Sequence, residues 1–273
     1  MKWIMPDKNS PMEQKERKIS IKLSPAGLVR TLFVIMALLF LAHLAVVLSH
    51  LVFRTPMNAF TKLFDVDLES NIPSFFNVSL FFIGAICFYL VGRSAKEHRR
   101  GWFAMAGIFT FLGIDEGSKI HEKLMLVTLR LMNDGEAGIG DMGWLFYAWI
   151  IPYGAATILL LLALLPWLRH LQGRIRVGLL FSGAIYVMGA VFMEAWSGKV
   201  AEPLLETAAA PSALPWLPCS VYSASQCFLY NDPSYVALYT IEELAEMTGL
   251  ILCIGVLLRV LAEQRTRIKV SLG

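Results

Sequence analysis

Six long apolar runs constrain this chain more than any other feature of its sequence. Crossing the core of a bilayer takes about 20 residues of α-helix, and lipid offers no hydrogen-bond partner to an open backbone. Hydrophobic residues make up 56% of the chain and charged residues only 16%, against about 25% in soluble domains. The sequence therefore predicts an all-α polytopic bundle of six transmembrane helices, at residues 31–53, 75–92, 102–125, 144–168, 177–196 and 236–261.

The basic residues lie in alternate connections between these runs. Most of the 24 lysines and arginines fall before residue 31, in 93–101, in 169–176 or near the C-terminal end. The positive-inside rule assigns these segments to the cytoplasm, so both termini are predicted to lie inside, in a cell membrane of the bacterial inner-membrane type. The predicted domains are a basic cytoplasmic segment (1–30), a transmembrane domain (31–262) that contains a long outer loop (197–235), and a cytoplasmic tail (263–273).

The long outer loop carries two of the four cysteines. Cys219 and Cys227 are eight residues apart on the side predicted to be oxidising, where a disulfide is expected. The alternative is two free thiols. Cys87 and Cys253 fall inside apolar runs and are interpreted as small core residues.

Carboxylate and imidazole side chains gather near the outer ends of three apolar runs. The stretch FLGIDEGSKIHEKL (111–124) interrupts the third run with three acids and a histidine, VFMEAW ends the fifth, and YTIEELAEMTG begins the sixth. Intramembrane ionisable residues are costly and usually functional. The candidate site residues are Asp115, Glu116, His121, Glu122, Glu194, Glu242, Glu243 and Glu246.

Helical geometry places these residues on shared faces. At 100° per residue, Asp115, His121 and Glu122 fall within an arc of about 120° on a continuous helix. The acids of the sixth run fall within about 100° of each other. Gly249 continues their face, and a small residue there permits close approach of another helix.

Clustered carboxylates repel one another unless protons, basic side chains or a bound cation neutralise them. Acids combined with histidine suit a divalent metal, and the sequence predicts zinc, iron or manganese. The predicted ligands are Asp115, His121, Glu122, Glu194, Glu242 and Glu246, with Glu116 and Glu243 as acid–base catalysts.

Other interpretations of the same residues stay open. Glu116 can pair with Lys119 at helical spacing, and acids in a first helical turn complement the helix dipole. For His43 and His50 in the first run, hydrogen bonding inside the bundle is slightly favoured over metal ligation. The motifs HExxH and GxSxG and a phosphate-binding P-loop are absent from the sequence.

The sequence favours a metal-dependent membrane enzyme, a hydrolase or an oxidoreductase, that acts on a lipid or lipid-linked substrate. The first alternative is a cation- or proton-coupled transporter or sensor, and the second is a structural protein that acts through its outer loop. Membrane lipid is the expected partner. Nucleic acid is not, because the net charge is only +3 and there is no basic stripe with interleaved aromatic residues.

Overall fold

The computed structural model describes residues 24–55, 57–132, 142–208 and 229–264, which contain helices and no strand. A π-helical turn (Leu48–Val52) extends α1, another (Met188–Met193) joins α7 to α8, and a 3-10 turn (Gly143–Leu145) precedes α6. The helices are α1 (Pro25–Val47), α2 (Asn58–Phe64), α3 (Ile72–Ser94), α4 (Arg99–Ser118), α5 (Ile120–Met132), α6 (Ile150–His170), α7 (Gly173–Val187), α8 (Glu194–Ala208) and α9 (Pro233–Glu263).

Five helical segments within the described residues are long and apolar enough to cross a membrane. The all-α prediction is confirmed, and the apolar helices indicate a membrane protein. The count of six spans and the position of the termini stay predictions. The five segments are Pro25–Val52, Ile72–Ser94, Ile150–His170, Gly173–Glu206 and Pro233–Glu263.

The third predicted run, 102–125, is not one helix. Lys119 adopts a left-handed backbone conformation (φ 54°) that separates α4 from α5. The carboxylate of Asp115 accepts a hydrogen bond from the His121 amide at 2.9 Å. A side chain that competes in this way for a backbone donor ends the regular helical pattern. The prediction of a continuous third span is therefore wrong at residue 119.

The outer connection after the fifth run begins later than predicted. Residues 197–208, assigned to the loop, are helical and belong to α8. The Glu202 carboxylate accepts hydrogen bonds from the amides of Met142 and Gly143 at 2.7 and 2.8 Å. This contact holds α8 against the segment that precedes α6. It is a tertiary contact that stabilises a helix where the sequence predicted a loop. Cys219 and Cys227 lie outside the described residues, so their pairing stays a prediction.

Helix α9 is the centre of the packing and contacts α1, α3, α7 and α8. Its core residues include Ile251, Ile254 and Leu257, which are fully buried. At Gly249 a Cβ atom would lie 2.7 Å from the Tyr186 backbone nitrogen and 2.8 Å from the Ser182 carbonyl oxygen. The close approach predicted at Gly249 is thus confirmed, and it brings α7 against α9.

Helix α6 packs differently from α9. Its buried residues are Ile150 near one end and Trp167 and Leu168 near the other. At the second end the Trp167 indole lies so close to Gly101 of α4 that a Cβ there would approach it within 2.2 Å. The middle of α6 therefore stands away from the core, and a cavity separates it from α4 and α7.

The histidines of α1 and its π-helical turn make structural hydrogen bonds. His43 Nε2 lies 3.0 Å from Thr240 Oγ1, and its Nδ1 accepts from the Val66 amide at 3.3 Å. His50 Nε2 lies 3.1 Å from Thr61 Oγ1. These contacts agree with the bundle-stabilising interpretation. Cys87 and Cys253 are buried free thiols, as predicted.

Candidate functional site

One cavity of about 1060 Å³ receives side chains from α4 to α9 and from the connection before α3. Its two ends differ in chemistry. We call one end the acidic chamber, lined by Asp67, Glu69, Asp115, Glu116, His121, Glu194, Glu242, Glu243 and Glu246. We call the other end the apolar channel, lined by Met105, Ile108, Leu112, Leu160, Leu164, Trp167, Leu168, Leu179 and Val187.

The structure brings all eight residues predicted from the sequence to this cavity. Seven of them belong to the acidic chamber, whereas the Glu122 side chain is half exposed and contacts Lys119 at 3.4 Å. The tertiary fold thus gathers acids from three separate apolar runs. Their catalytic and metal-binding roles stay predictions.

Asp115 and His121 form a hydrogen-bonded pair at the chamber wall. The Asp115 carboxylate lies 3.2 Å from His121 Nδ1 and accepts a hydrogen bond from the Tyr153 hydroxyl at 2.8 Å. With Nδ1 held by the carboxylate, Nε2 is the ring nitrogen of His121 without a hydrogen bond among the described residues. A carboxylate that orients a histidine in this way leaves Nε2 able to accept a proton.

Asn77 joins two acids from different helices. Its Nδ2 donates to Glu116 Oε1 at 2.9 Å and to Glu246 Oε2 at 3.4 Å. Asn77 is fully buried, and its Oδ1 has no hydrogen-bond partner among the described residues. A buried acceptor without a donor is costly, and this one lies behind the chamber wall, next to Glu116 and Glu246.

Glu194 lies between α6 and α9. Trp149 Nε1 donates to its carboxylate at 3.3 Å, and its carboxyl group hydrogen-bonds that of Glu242. Gly189 permits this arrangement, since a Cβ there would lie 2.8 Å from the Glu242 carbonyl oxygen. Two carboxyl groups in contact need a shared proton or a cation between them.

Lys119 closes the solvent side of the chamber. Its Nζ lies 3.1 Å from Glu69 and 3.4 Å from Glu122. The alternative pairing of Lys119 with Glu116 is not formed, because the backbone turns at Lys119 and Glu116 contacts Asn77 instead. Burial raises the pKa of Glu69 to about 7, an effect that the charge of Lys119 partly offsets.

Asp67 adds an acid that also lies outside the candidate membrane spans. Burial raises its pKa to about 7 against the opposing effect of a hydrogen bond from the Tyr230 hydroxyl, and the nearby charge of Asp65 adds to the rise. Asp67 and Glu69 both change charge near neutral pH. The net charge of the chamber therefore depends on pH in the physiological range.

Several residues that line or support the chamber were not among the predicted site residues. Asp67 and Glu69 belong to the alternating acids of DVDLE (65–69), directly before α3. Asn77 is a lone amide inside an apolar run, and Trp149 and Tyr153 lie at the start of another. A polar residue inside an apolar run was the available signal for Asn77. The two aromatic residues carried no comparable signal.

Across the described residues, no three His, Cys, Asp or Glu side chains are arranged so that they could hold a metal ion. The predicted ligands make other contacts instead. Asp115 binds His121, Glu246 contacts Asn77, and Glu122 pairs with Lys119. A preformed metal centre therefore lacks support from this part of the chain.

Residues 31–261 match the family described as "Domain of unknown function (DUF8692)". The chain belongs to the DUF8692 family. No match was found among the curated proteins or among the solved structures. The matched residues include every cavity-lining side chain named above, so the acidic chamber and the apolar channel lie within the DUF8692 domain.

Proposed function

We propose that this DUF8692 protein is an integral membrane enzyme that acts on a lipid or lipid-linked substrate. The observation that carries the proposal is the continuity of the acidic chamber with the apolar channel in a single cavity. An amphiphile would place its polar group in the chamber and its chain in the channel. A water-soluble substrate would leave the channel without a function.

The dimensions of the channel support a long apolar chain. From Asp115 to Met105 is ten residues along α4, or about 15 Å at the helical rise. That length suits a fatty-acyl or isoprenoid chain. Access from the membrane is expected beside α6, because its middle is exposed on the cavity side (Thr157, Leu161) and on the opposite side (Ile158, Leu162).

The proposed chemistry is hydrolysis or group transfer assisted by a general base. Asp115 orients His121, and Nε2 of His121 takes a proton from a water or hydroxyl nucleophile in the chamber. The carboxyl groups of Glu194 and Glu242, which contact each other, are placed to return a proton to a leaving group. Glu116 and Glu243 remain candidates for acid–base roles because both line the chamber.

The proposal keeps the divalent cation that was predicted from the sequence. Glu194 and Glu242 are the carboxylates best placed to share one, because their carboxyl groups already meet. Further ligands would have to come from side-chain movement or from the substrate. Zinc, iron and manganese suit such carboxylate and imidazole donors.

Proton- or cation-coupled transport is the second candidate. The carboxyl contact between Glu194 and Glu242 favours it, since a shared proton can be released and replaced. The apolar channel disfavours it, because Met105, Leu164 and Leu168 at its far end offer no polar group to an ion. An action through the outer loop stays a prediction, since most of that loop lies outside the described residues.

Lipid conversion tests the enzymatic proposal. The full-length protein is incorporated into nanodiscs made from a total membrane lipid extract, and lipids are compared by mass spectrometry before and after incubation. The wild type is expected to consume at least one lipid species. His121→Gln is expected to slow this about 100-fold or more, as removal of a general base does, whereas Glu206→Gln, outside the cavity, is expected to have no effect.

Elemental analysis of the same samples separates the alternatives. Stoichiometric metal that is lost in Asp115→Asn and Glu243→Gln would support a metal-dependent enzyme. Lipid conversion by metal-free protein would remove the cation from the mechanism. A wild type that converts no lipid but shows cation-dependent flux in vesicles would overturn the enzymatic proposal in favour of transport.

A further inference from the structure

A second cavity of about 460 Å³ lies on the basic side of the protein, where the α3–α4 connection meets the end of α6. We call it the basic pocket, and its lining includes Lys96, His98, Arg100, Trp167 and His170. Among the described residues that line it, none is acidic. It shares Trp167 with the apolar channel, whereas none of its named residues lines the acidic chamber.

Trp167 lies between the basic pocket and the apolar channel and carries an unused hydrogen-bond donor. The side chain is only 8% exposed, and its indole Nε1 is buried with no hydrogen-bond partner in the described part of the chain. An indole nitrogen can only donate, and a buried donor without an acceptor is costly. An acceptor for this donor is therefore missing at the wall of the pocket.

The charges around the indole point to an anion as that acceptor. Lys96 and Arg100 are exposed cations with no ion pair among the residues that the structure describes. The His98 and His170 rings stack with centroids 4.2 Å apart. His170 Nδ1 donates to the Pro166 carbonyl at 2.6 Å, so its proton-bearing nitrogen is fixed.

The backbone adds donors at the start of α4. His98 precedes this 20-residue helix in a left-handed conformation (φ 53°), and its side chain does not cap the first amides. Free amides at a helix N-terminus, together with the helix dipole, favour phosphate and other anions. A histidine in the left-handed region is also energetically unfavourable, and a bound anion would compensate for this by stabilising the turn.

We propose that the basic pocket binds the phosphate group of an anionic phospholipid from the basic-side leaflet. Phosphate satisfies the indole donor, the free amides and the cations together. A lipid is favoured over free phosphate because the pocket lies at the end of the membrane-spanning helix α6, and because Pro166 and Trp167 give it an apolar wall. Basic pockets at this level of a membrane protein are suited to lipid head groups.

The test measures ligand-dependent thermal unfolding of the full-length protein in neutral detergent. The probes are short-chain phosphatidylglycerol, phosphatidylcholine with the same chains, and inorganic phosphate. Phosphatidylglycerol is expected to raise the Tm at concentrations at which the other two do not. Arg100→Gln and Lys96→Gln are each expected to weaken its apparent affinity about fivefold, the usual contribution of one cation near a lipid surface.

Two further variants separate a built site from general surface charge. Trp167→Phe keeps the ring but removes the N–H donor, and is expected to weaken binding about tenfold. Arg174→Gln removes an exposed cation on the same side, away from the pocket, and is expected to leave binding unchanged. Equal effects of Arg174→Gln and Arg100→Gln would overturn the proposal. An equal response to phosphatidylcholine would also overturn it, and an equal response to inorganic phosphate would overturn the lipid as the source.

Discussion

Gly249→Ala tests the helix contact on which the acidic chamber depends. The contact between α7 and α9 is made at Gly249, and at Gly189 the adjoining π-helical turn approaches Glu242 in the same way. The added methyl group would lie 2.7 Å from the Tyr186 nitrogen and 2.8 Å from the Ser182 oxygen. Both atoms belong to the backbone, so no side-chain rotation can make room.

The size of the effect follows from these distances. Ordinary contact begins near 3.4 Å, so α7 has to retreat by about 0.7 Å from the 2.7 Å position. Overpacking of this kind costs about 1–3 kcal/mol, while alanine gains about 0.5–1 kcal/mol over glycine in a helix. The net expectation is a loss of up to about 2.5 kcal/mol of unfolding free energy.

Gly107→Ala is the matched control, because no atom lies within 4 Å of a Cβ at that helical position. Thermal unfolding in detergent is expected to show a lower Tm for Gly249→Ala and an unchanged or higher Tm for Gly107→Ala. Retreat of α7 would also separate Glu194 from Glu242, so lipid conversion is expected to fall with Gly249→Ala alone. Equal shifts in Tm for the two variants would refute the packing of α7 against α9.

Three further predictions concern the chamber and its supports. The folded-state pKa of Asp67 is raised to about 7 from an ordinary 3.8, so its contribution to stability is lost as the pH rises toward and through 7. In thermal unfolding, Asp67→Asn is therefore expected to raise the Tm at pH 8 but not at pH 4. Asp115→Asn removes a charged acceptor of three hydrogen bonds and is expected to lower stability by about 1.5–3 kcal/mol, more than Tyr153→Phe, which removes one; equal losses in denaturant titrations would contradict this. Glu202→Gln is expected to speed hydrogen exchange at the Met142 and Gly143 amides, and unchanged exchange would show that the carboxylate does not protect them.

The third apolar run shows most clearly what could not be predicted from the sequence. On a continuous helix, Asp115 and His121 lie about 120° apart and cannot meet. The break at Lys119 turns the chain and brings His121 Nδ1 within 3.2 Å of the Asp115 carboxylate. Nothing in the hydropathy of the run signals that break, because Asp115 ends the helix through its own side chain.

The acids of the other runs show the opposite case. Glu194 was expected to lie at the same depth as Glu242 and Glu246, which share one helical face, and the structure places all three on one cavity. The contacts that hold them were not predictable. Asn77 comes from α3 and Trp149 from the start of α6, and neither is near its partner in the sequence.

The sequence by itself determined that the chain is helical, that its apolar runs belong in a membrane, and that its acids gather at one level. These properties follow from hydrophobicity and helical periodicity, which act locally along the chain. Only the tertiary structure decided that the middle of α6 stands apart from the core, which leaves an apolar channel next to the acids. It also decided that the Trp167 indole lies unpaired near cations on the basic side of the protein. Those features depend on how closely two helices approach at positions such as Gly249 and Gly101. The sequence of one helix does not specify its distance from another.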